Sequence, residues 1–178
     1  LRNSHVFIQD KPRHFIDRAD EYGILSSVGL SVAACDLNKD GETDFVIANL
    51  RSGFEYNTDS YVYVGTKDGF VDIEPIRLPT RYAHHVETGD LSGDGYDDIV
   101  FSGGGEIRIF WNRNGSFSAK DFTTIQAVGD TSIYGHGHGG MTIADIDLDG
   151  KNELLMTSES GTAIYKQESW STPFLVLP

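Results

Sequence analysis

GDLSGDGYDDIVFSG, residues 89–103, puts Asp90, Ser92, Asp94 and Asp98 at the first, third, fifth and ninth places of one turn, with Gly95 at the sixth, and then runs directly into apolar residues. The same nine-place order recurs as DLNKDGETD at 36–44 and as DIDLDGKNE at 145–153. The starts Asp36, Asp90 and Asp145 are 54 and 55 positions apart. Spacing that regular belongs to a repeating unit rather than to one acidic turn.

Each loop lies between strand-like runs. VGLSVAACD (28–36) precedes the first, and FVIANL (45–50), SYVYVG (60–65) and FVDIEPIRLP (70–79) follow it. The first two are apolar nearly throughout, as strands covered on both faces are. FVDIE alternates, with Val71 and Ile73 assigned to one face and Asp72 and Glu74 to the other. Pro75 suits an outer edge strand. The second unit reads HHVETGD (84–90), DIVFSG (98–103), EIRIFW (106–111) and FSAKDFTTI (117–125). The third reads GMTIAD (140–145), ELLMTS (153–158), TAIYKQ (162–167) and PFLVL (173–177). No segment carries an amphipathic helical stripe.

The expected fold is therefore all-β: β-propeller blades of four short antiparallel strands, the inner pair more buried than the outer. VFIQDKPRHFIDRADEYGI (6–24) reads as the outer two strands of a preceding blade. That gives about three and a half blades: residues 1–24 as an outer half, then blades over 25–80, 81–130 and 131–178. Closed propellers use typically about 4–8 blades, so a larger or multi-chain propeller is expected. The start at Leu1, without an initiator Met, reads as an excerpt or a processed product.

Hard oxygen ligands at places 1, 3, 5 and 9, with a carbonyl at place 7, describe a calcium loop. The first loop offers Asp36, Asn38, Asp40, the Glu42 carbonyl and Asp44. The second offers Asp90, Ser92, Asp94, the Tyr96 carbonyl and Asp98, with Ser92 the poorest ligand of the set. The third offers Asp145, Asp147, Asp149, the Lys151 carbonyl and Glu153. Gly41, Gly95 and Gly150 stand where the backbone must turn at positive φ. An EF-hand needs a bidentate Glu at place 12, where this chain has Ile47, Phe101 and Met156 inside strands. No Cys or His lies in any loop, which argues against transition metals. Asp, Asn and Gly are also ordinary turn residues. Three loops in register, each opening on Asp and each acidic at place 9, nonetheless favour calcium, up to three ions. The expected role is structural, because crowded carboxylates repel without a cation and a bound ion adds its binding energy to folding.

The loops with their strand pairs, as in GDLSGDGYDDIVFSG and ADIDLDGKNELLMTS, resemble the FG-GAP/VCBS-type repeats of integrin-α-like β-propellers. SYVYVGTKDGF followed by LPT, and HFIDRADEYGI, resemble the outer half of such a blade. The likeness covers nearly the whole chain. It implies a calcium-bound propeller on a secreted or cell-surface protein, hence an extracellular setting and a role in adhesion or recognition. The literal Phe-Gly and Gly-Ala-Pro signatures of integrin repeats are missing, which weakens any claim to an integrin-like ligand site.

Composition narrows the partners. The formal net charge is −13, and twelve of the 27 Asp and Glu residues fall inside the three loops. With 14 Lys and Arg and no basic run, nucleic acid is a poor partner. No apolar run reaches the length of a membrane span. Protein or carbohydrate is the expected partner, with self-assembly through open blade faces a further expectation, since a head-to-tail contact that does not close makes a filament. The single cysteine, Cys35, sits on an apolar run and reads as a small buried hydrophobe.

Outside the loops, His84 and His85 open one inner strand and His136 and His138 precede the next, so the four are candidates for one channel or ligand site. Some calcium-bearing propellers with similar loops are polysaccharide lyases, and a His or metal-His site there could serve as general base. A carbohydrate-active enzyme or a lectin is accordingly the alternative reading, although no nucleophile, phosphate loop or paired catalytic carboxylate accompanies these histidines and no catalytic residue is assigned. Trp111, Trp170 and the tyrosines of SYVYVG are read as packing between blades before they are read as sugar platforms. Asn114-Gly115-Ser116 is an N-glycosylation acceptor pattern in an expected turn.

Overall fold

The computed structural model describes residues 2–55, 57–70, 72–127, 138–158, 161–167 and 175–177, with residues 2, 3, 138, 139 and 175–177 described by their backbone alone. Among the described residues the chain is all-β apart from one helical turn. At the N-terminus β1 (Arg2–Asn3) pairs with β4 (Leu25–Ser26), and β2 (Phe7–Lys11) forms a hairpin with β3 (His14–Asp17). Helix α1 (Ala19–Tyr22) lies between β3 and β4 and ends at Gly23, which takes the left-handed φ of 62° that a residue with a Cβ adopts at a cost.

Three antiparallel meanders follow. The first contains β5 (Gly29–Cys35), β6 (Asp44–Asn49), β7 (Asp59–Tyr63) and β8 (Ile76–Pro79). The second contains β9 (Ala83–Gly89), β10 (Asp98–Gly103), β11 (Glu106–Phe110) and β12 (Phe122–Gln126). The third contains β13 (His138–Ala144), β14 (Glu153–Ser158), β15 (Gly161–Tyr165) and β16 (Leu175–Leu177). Each acidic loop joins the first two strands of its sheet.

The sheets stack face to face, and strand alternation decides which neighbour each side chain meets. On β6, Val46 and Ala48 join Val62 and Leu78 against Val86, Ile99, Phe101 and Phe110 of the second sheet. Ile47, between them in sequence, turns the other way with Tyr61 and Tyr63 onto Ile24 and Phe70. On β10 the same switch puts Val100 with Ile107, Ile109 and Ile125 against Met141, Leu154, Met156 and Tyr165 of the third sheet. The middle strands are thus buried on both faces, and they read as continuous apolar runs for that reason. The innermost strands approach closely: Val86 donates its N–H to Ser31 Oγ at 3.3 Å, and a Cβ on Gly89 would stand 2.7 Å from Ile143 Cγ2.

Two local expectations are corrected. FVDIEPIRLP is not one strand: β8 begins at Ile76, and Asp72 turns back at φ 59°. Phe70 is pulled inward against Phe45, ring centroids 4.9 Å apart, and this aromatic contact outweighs the apparent alternation. Pro75, which has no N–H to give a ladder, lies just outside the strand. Val71 is outside the described residues. In the first sheet the inner pair is also not the more buried one. Every other residue of β5 is exposed, with Val32 at 64%, while β6 and β7 are almost wholly buried. Among the described residues, Leu30 and Val32 on the outward face of β5 line an open pocket with Val6, Phe7 and Ile24 of the N-terminal segment.

Candidate metal-binding loops

The three acidic turns share one backbone scaffold. The place-1 carboxylate accepts the N–H groups of places 5 and 6: Asp36 from Asp40 and Gly41, Asp90 from Asp94 and Gly95, Asp145 from Asp149 and Gly150, at 2.8–3.2 Å. The place-5 carboxylate accepts the place-7 N–H, from Glu42, Tyr96 and Lys151, at 2.8–2.9 Å. These local Asx bonds bend the chain so tightly that place 6 lies at φ 88°, 88° and 89° in Gly41, Gly95 and Gly150. Place 4 is also left-handed, in Lys39, Gly93 and Leu148 at 61°, 77° and 62°. The sequence carried that signal only in the second loop, where place 4 is a glycine.

The place-9 acids are more deeply embedded than ligand spacing alone would indicate. Asp44 and Asp98 are fully buried and Glu153 nearly so. Each accepts the place-2 N–H of its own loop: Leu37 to Asp44 Oδ2 at 2.7 Å, Leu91 to Asp98 Oδ2 at 3.0 Å, and Ile146 to Glu153 Oε2 at 2.9 Å. Asp44 Oδ1 also takes the Gly65 N–H, and Asp98 Oδ1 the Asn112 N–H. The carboxylate therefore ties the loop to the end of its sheet's third strand. Burial pushes the pKa of Asp44 up, and that of Asp98 up to about 6, although the N–H groups pull the other way. Exposed Asp40, bonded by the Glu42 N–H and the Asn38 amide, is held below the ordinary range.

The donor set suits a hard divalent cation. In the third loop, oxygens of Asp145, Asp147 and Asp149 lie within 4.8 Å of one another, the one such acidic grouping among the described residues. Lys166 pairs with Asp147 and lowers its pKa, so one cation of the protein already leans on this loop. In the first loop Asn38 takes the place-3 position, and in the second Ser92 does. The loops also touch: Lys39 Nζ stands 4.3 Å above the Tyr96 ring, joining place 4 of the first to place 7 of the second.

The other candidates fare differently. His84 lies at a bulge in β9 with its ring 4.7 Å from that of Tyr82, and His85 Nε2 is 3.3 Å from Glu87 Oε1. His136 is outside the described residues, and His138 is described only through its backbone pairing with Ser158. The four-histidine grouping stands as a proposal. Tyr61 and Tyr63 are buried, the Tyr63 hydroxyl donating to the Leu25 carbonyl at 3.0 Å, and Trp111 packs on the second interface with Nε1 donating to Thr123 Oγ1. Trp170 is outside the described residues. Cys35 is half-buried and its thiol is pushed up to about 11 by burial. Asn114 is exposed in a turn at φ 52°.

A family model described as FG-GAP-like repeat matches the chain twice, over residues 36–101 and 90–156, each match running from the first Asp of one loop to place 12 of the next. The chain belongs to the FG-GAP-like repeat family. It is similar to Integrin alpha-PS3 of Drosophila melanogaster, 27% identical over 169 residues that cover 86% of this chain and 15% of that protein. It is similar also to human Integrin alpha-6, 29% identical over 162 residues, or 84% of this chain and 13% of that protein. The chain thus spans well under a fifth of the length of these relatives. Its fold resembles the crystal structure of BBS1N in complex with ARL6DN, soaked with mercury, with a TM-score of 0.54 at 15% identity over 86% of this chain and 45% of that one. No helix of the described residues is long and apolar enough to cross a membrane.

Proposed function

We propose that the chain is a calcium-stabilised segment of an extracellular β-propeller that serves adhesion or recognition, with a protein as its partner. The observation that carries this reading is the triplicate loop: one backbone scaffold, with oxygen side chains at places 1, 3, 5 and 9, at the same corner of three successive sheets. Asp36, Asn38, Asp40 and Asp44 would hold one ion with the Glu42 carbonyl. Asp90, Ser92, Asp94 and Asp98 would hold a second with that of Tyr96, and Asp145, Asp147, Asp149 and Glu153 a third with that of Lys151. Bound calcium supplies positive charge between carboxylates that otherwise repel. Family membership and the integrin relatives support the adhesive and extracellular parts of the reading.

The division into an outer half-blade over 1–24 and blades over 25–80, 81–130 and 131–178 is part of the same proposal. So is the cover for the outward face of β5, which a further blade would provide. Val32 is 64% exposed, whereas Val86 and Met141, at the same repeat position opposite place 12, are 2% and 5% exposed beneath the preceding sheet.

Thermal unfolding in calcium and in chelator tests the reading. Free calcium at a hundred times Kd adds about 2.7 kcal/mol per site. Asp149→Ala should remove about a third of the calcium-dependent rise in Tm, one site of three, and lower Tm by a smaller amount in chelator through the lost Lys151 N–H contact. Equal losses in the two conditions would contradict metal ligation and leave only turn chemistry.

A further inference from the structure

The acidic loops are held from outside as well as from within, and the outside grip follows the repeat. The third strands of the sheets end at Tyr63, Phe110 and Tyr165, each paired with the residue just after its loop's place-9 acid: Phe45, Ile99 and Leu154. Two residues further on stand Gly65, Asn112 and Gln167, which are therefore equivalent positions. The Gly65 and Asn112 N–H groups both donate to their own sheet's place-9 carboxylate. The side chains, where there are any, reach into the preceding sheet's loop. Asn112, fully buried, donates Nδ2 to the Leu37 carbonyl in the first loop and to the Asp97 carbonyl in its own, both at 2.9 Å. Its Oδ1 accepts the Gly115 N–H at 2.7 Å, which holds the following turn so close that a Cβ on Gly115 would lie 2.9 Å from Asn38 Cα. Gln167 donates Nε2 to the Ser92 carbonyl in the second loop at 2.8 Å. Asn152 adds a second amide there, Nδ2 to the Asp90 carbonyl at 2.9 Å.

In the second loop, each gripped peptide is held at both ends. The Ser92–Gly93 unit gives its carbonyl to Gln167 and its N–H to Asp90 Oδ1 at 2.7 Å. The Asp90–Leu91 unit gives its carbonyl to Asn152 and its N–H to Asp98 Oδ2. A planar peptide pinned by carbonyl and N–H has no freedom to rotate, so the Cα–Cβ directions of the residues on either side are fixed. We infer that Asn112 and Gln167 are positioning residues for calcium: each blade's amide, two residues past its third strand, sets the geometry and hence the affinity of the preceding blade's loop. This rests on the calcium reading above. It makes ion binding in one blade respond to the stacking of the next. The third loop has no described sheet beyond it, and its place-2 residue Ile146 is 41% exposed where Leu37 and Leu91 are 1% and 2%.

The place-6 glycines allow each loop to be followed separately. The amide resonances of Gly41, Gly95 and Gly150 would be recorded through a calcium titration of the whole chain. Gln167→Ala is the main variant, because it removes a half-buried contact; Asn112→Ala, fully buried, is the companion. Gln167→Ala should raise the calcium midpoint at Gly95 about tenfold, the scale expected when an outer partner of a metal ligand is lost. Gly41 and Gly150 should keep the wild-type midpoint. Asn112→Ala, if folded, should shift Gly41, and Gly95 with it through the lost Asp97 contact, while leaving Gly150 unchanged. An unchanged Gly95 midpoint, or an equal shift at all three glycines, would overturn the positioning role. Wild-type resonances that do not respond to calcium would instead overturn the calcium reading itself, so the two failures are distinct.

Discussion

Three backbone N–H groups, from Leu91, Ser92 and Asn112, point at the Asp98 carboxylate, and burial still pushes its pKa up to about 6. The ordinary carboxyl value is 3.8. The metal-free folded state thus binds this proton more tightly than the unfolded chain does. Asp98 then contributes most to stability at low pH, and the contribution is lost as pH rises through 3.8 to about 6. On the proposed reading, calcium would compete for the same carboxylate. The carboxyl 13C shift of Asp98 should titrate near pH 6 in chelator and well below that in saturating calcium; the same midpoint in both would rule Asp98 out as a ligand. Cys35, with its thiol near 11, should react slowly with a thiol reagent at pH 8 while folded and faster once unfolded. At this scale the sequence made the oxygens at places 1, 3, 5 and 9 and the glycine at place 6 legible, because those are local chemistry. It hid the acceptor role of place 9 and the grip of Asn112 and Gln167. The Gly65 and Asn112 N–H groups and the Asn112 and Gln167 amides meet the loops only when a later strand returns to them.

Among elements, β10 begins and ends where its run does, since both faces of that strand are covered and nothing else competes for its residues; β14 matches its run as well, with Leu154 and Met156 packed against the second sheet. The segment from Phe70 to Pro75 misled for the opposite reason: a single ring dropping into the N-terminal core outweighs a short alternation. The exposure of β5 was not legible either, because apolar composition records what a strand is built to touch and not what lies beside it. Place 12 partners measure that difference. Val86→Ala should lower stability by about 2 kcal/mol through lost burial and the cavity left behind. Val32→Ala, at the equivalent position on the open face, should stay within about 0.5 kcal/mol. Chemical denaturation of both variants checks the pair, and equal losses would mean that the face of β5 is already covered.

For the whole molecule, a net charge of −13 with twelve acids in three turns would, on the proposed calcium reading, make calcium the dominant electrostatic variable. The open face of β5 makes association the second. Sedimentation velocity in calcium separates the sources of its cover: assemblies that Val32→Glu dissolves would mean another copy of the chain, and a lone particle would mean a blade supplied elsewhere. The FG-GAP repeat architecture was legible from a spacing of 54 and 55 residues, because a repeat writes its period into the sequence. The central claim is that the three loops are calcium sites, and counting the ions tests it most directly. Isothermal titration of metal-stripped chain with calcium should give up to three equivalents, with more than one resolved. No heat and no stoichiometric binding at millimolar calcium would contradict the account and leave the loops as turns held by their own backbone bonds.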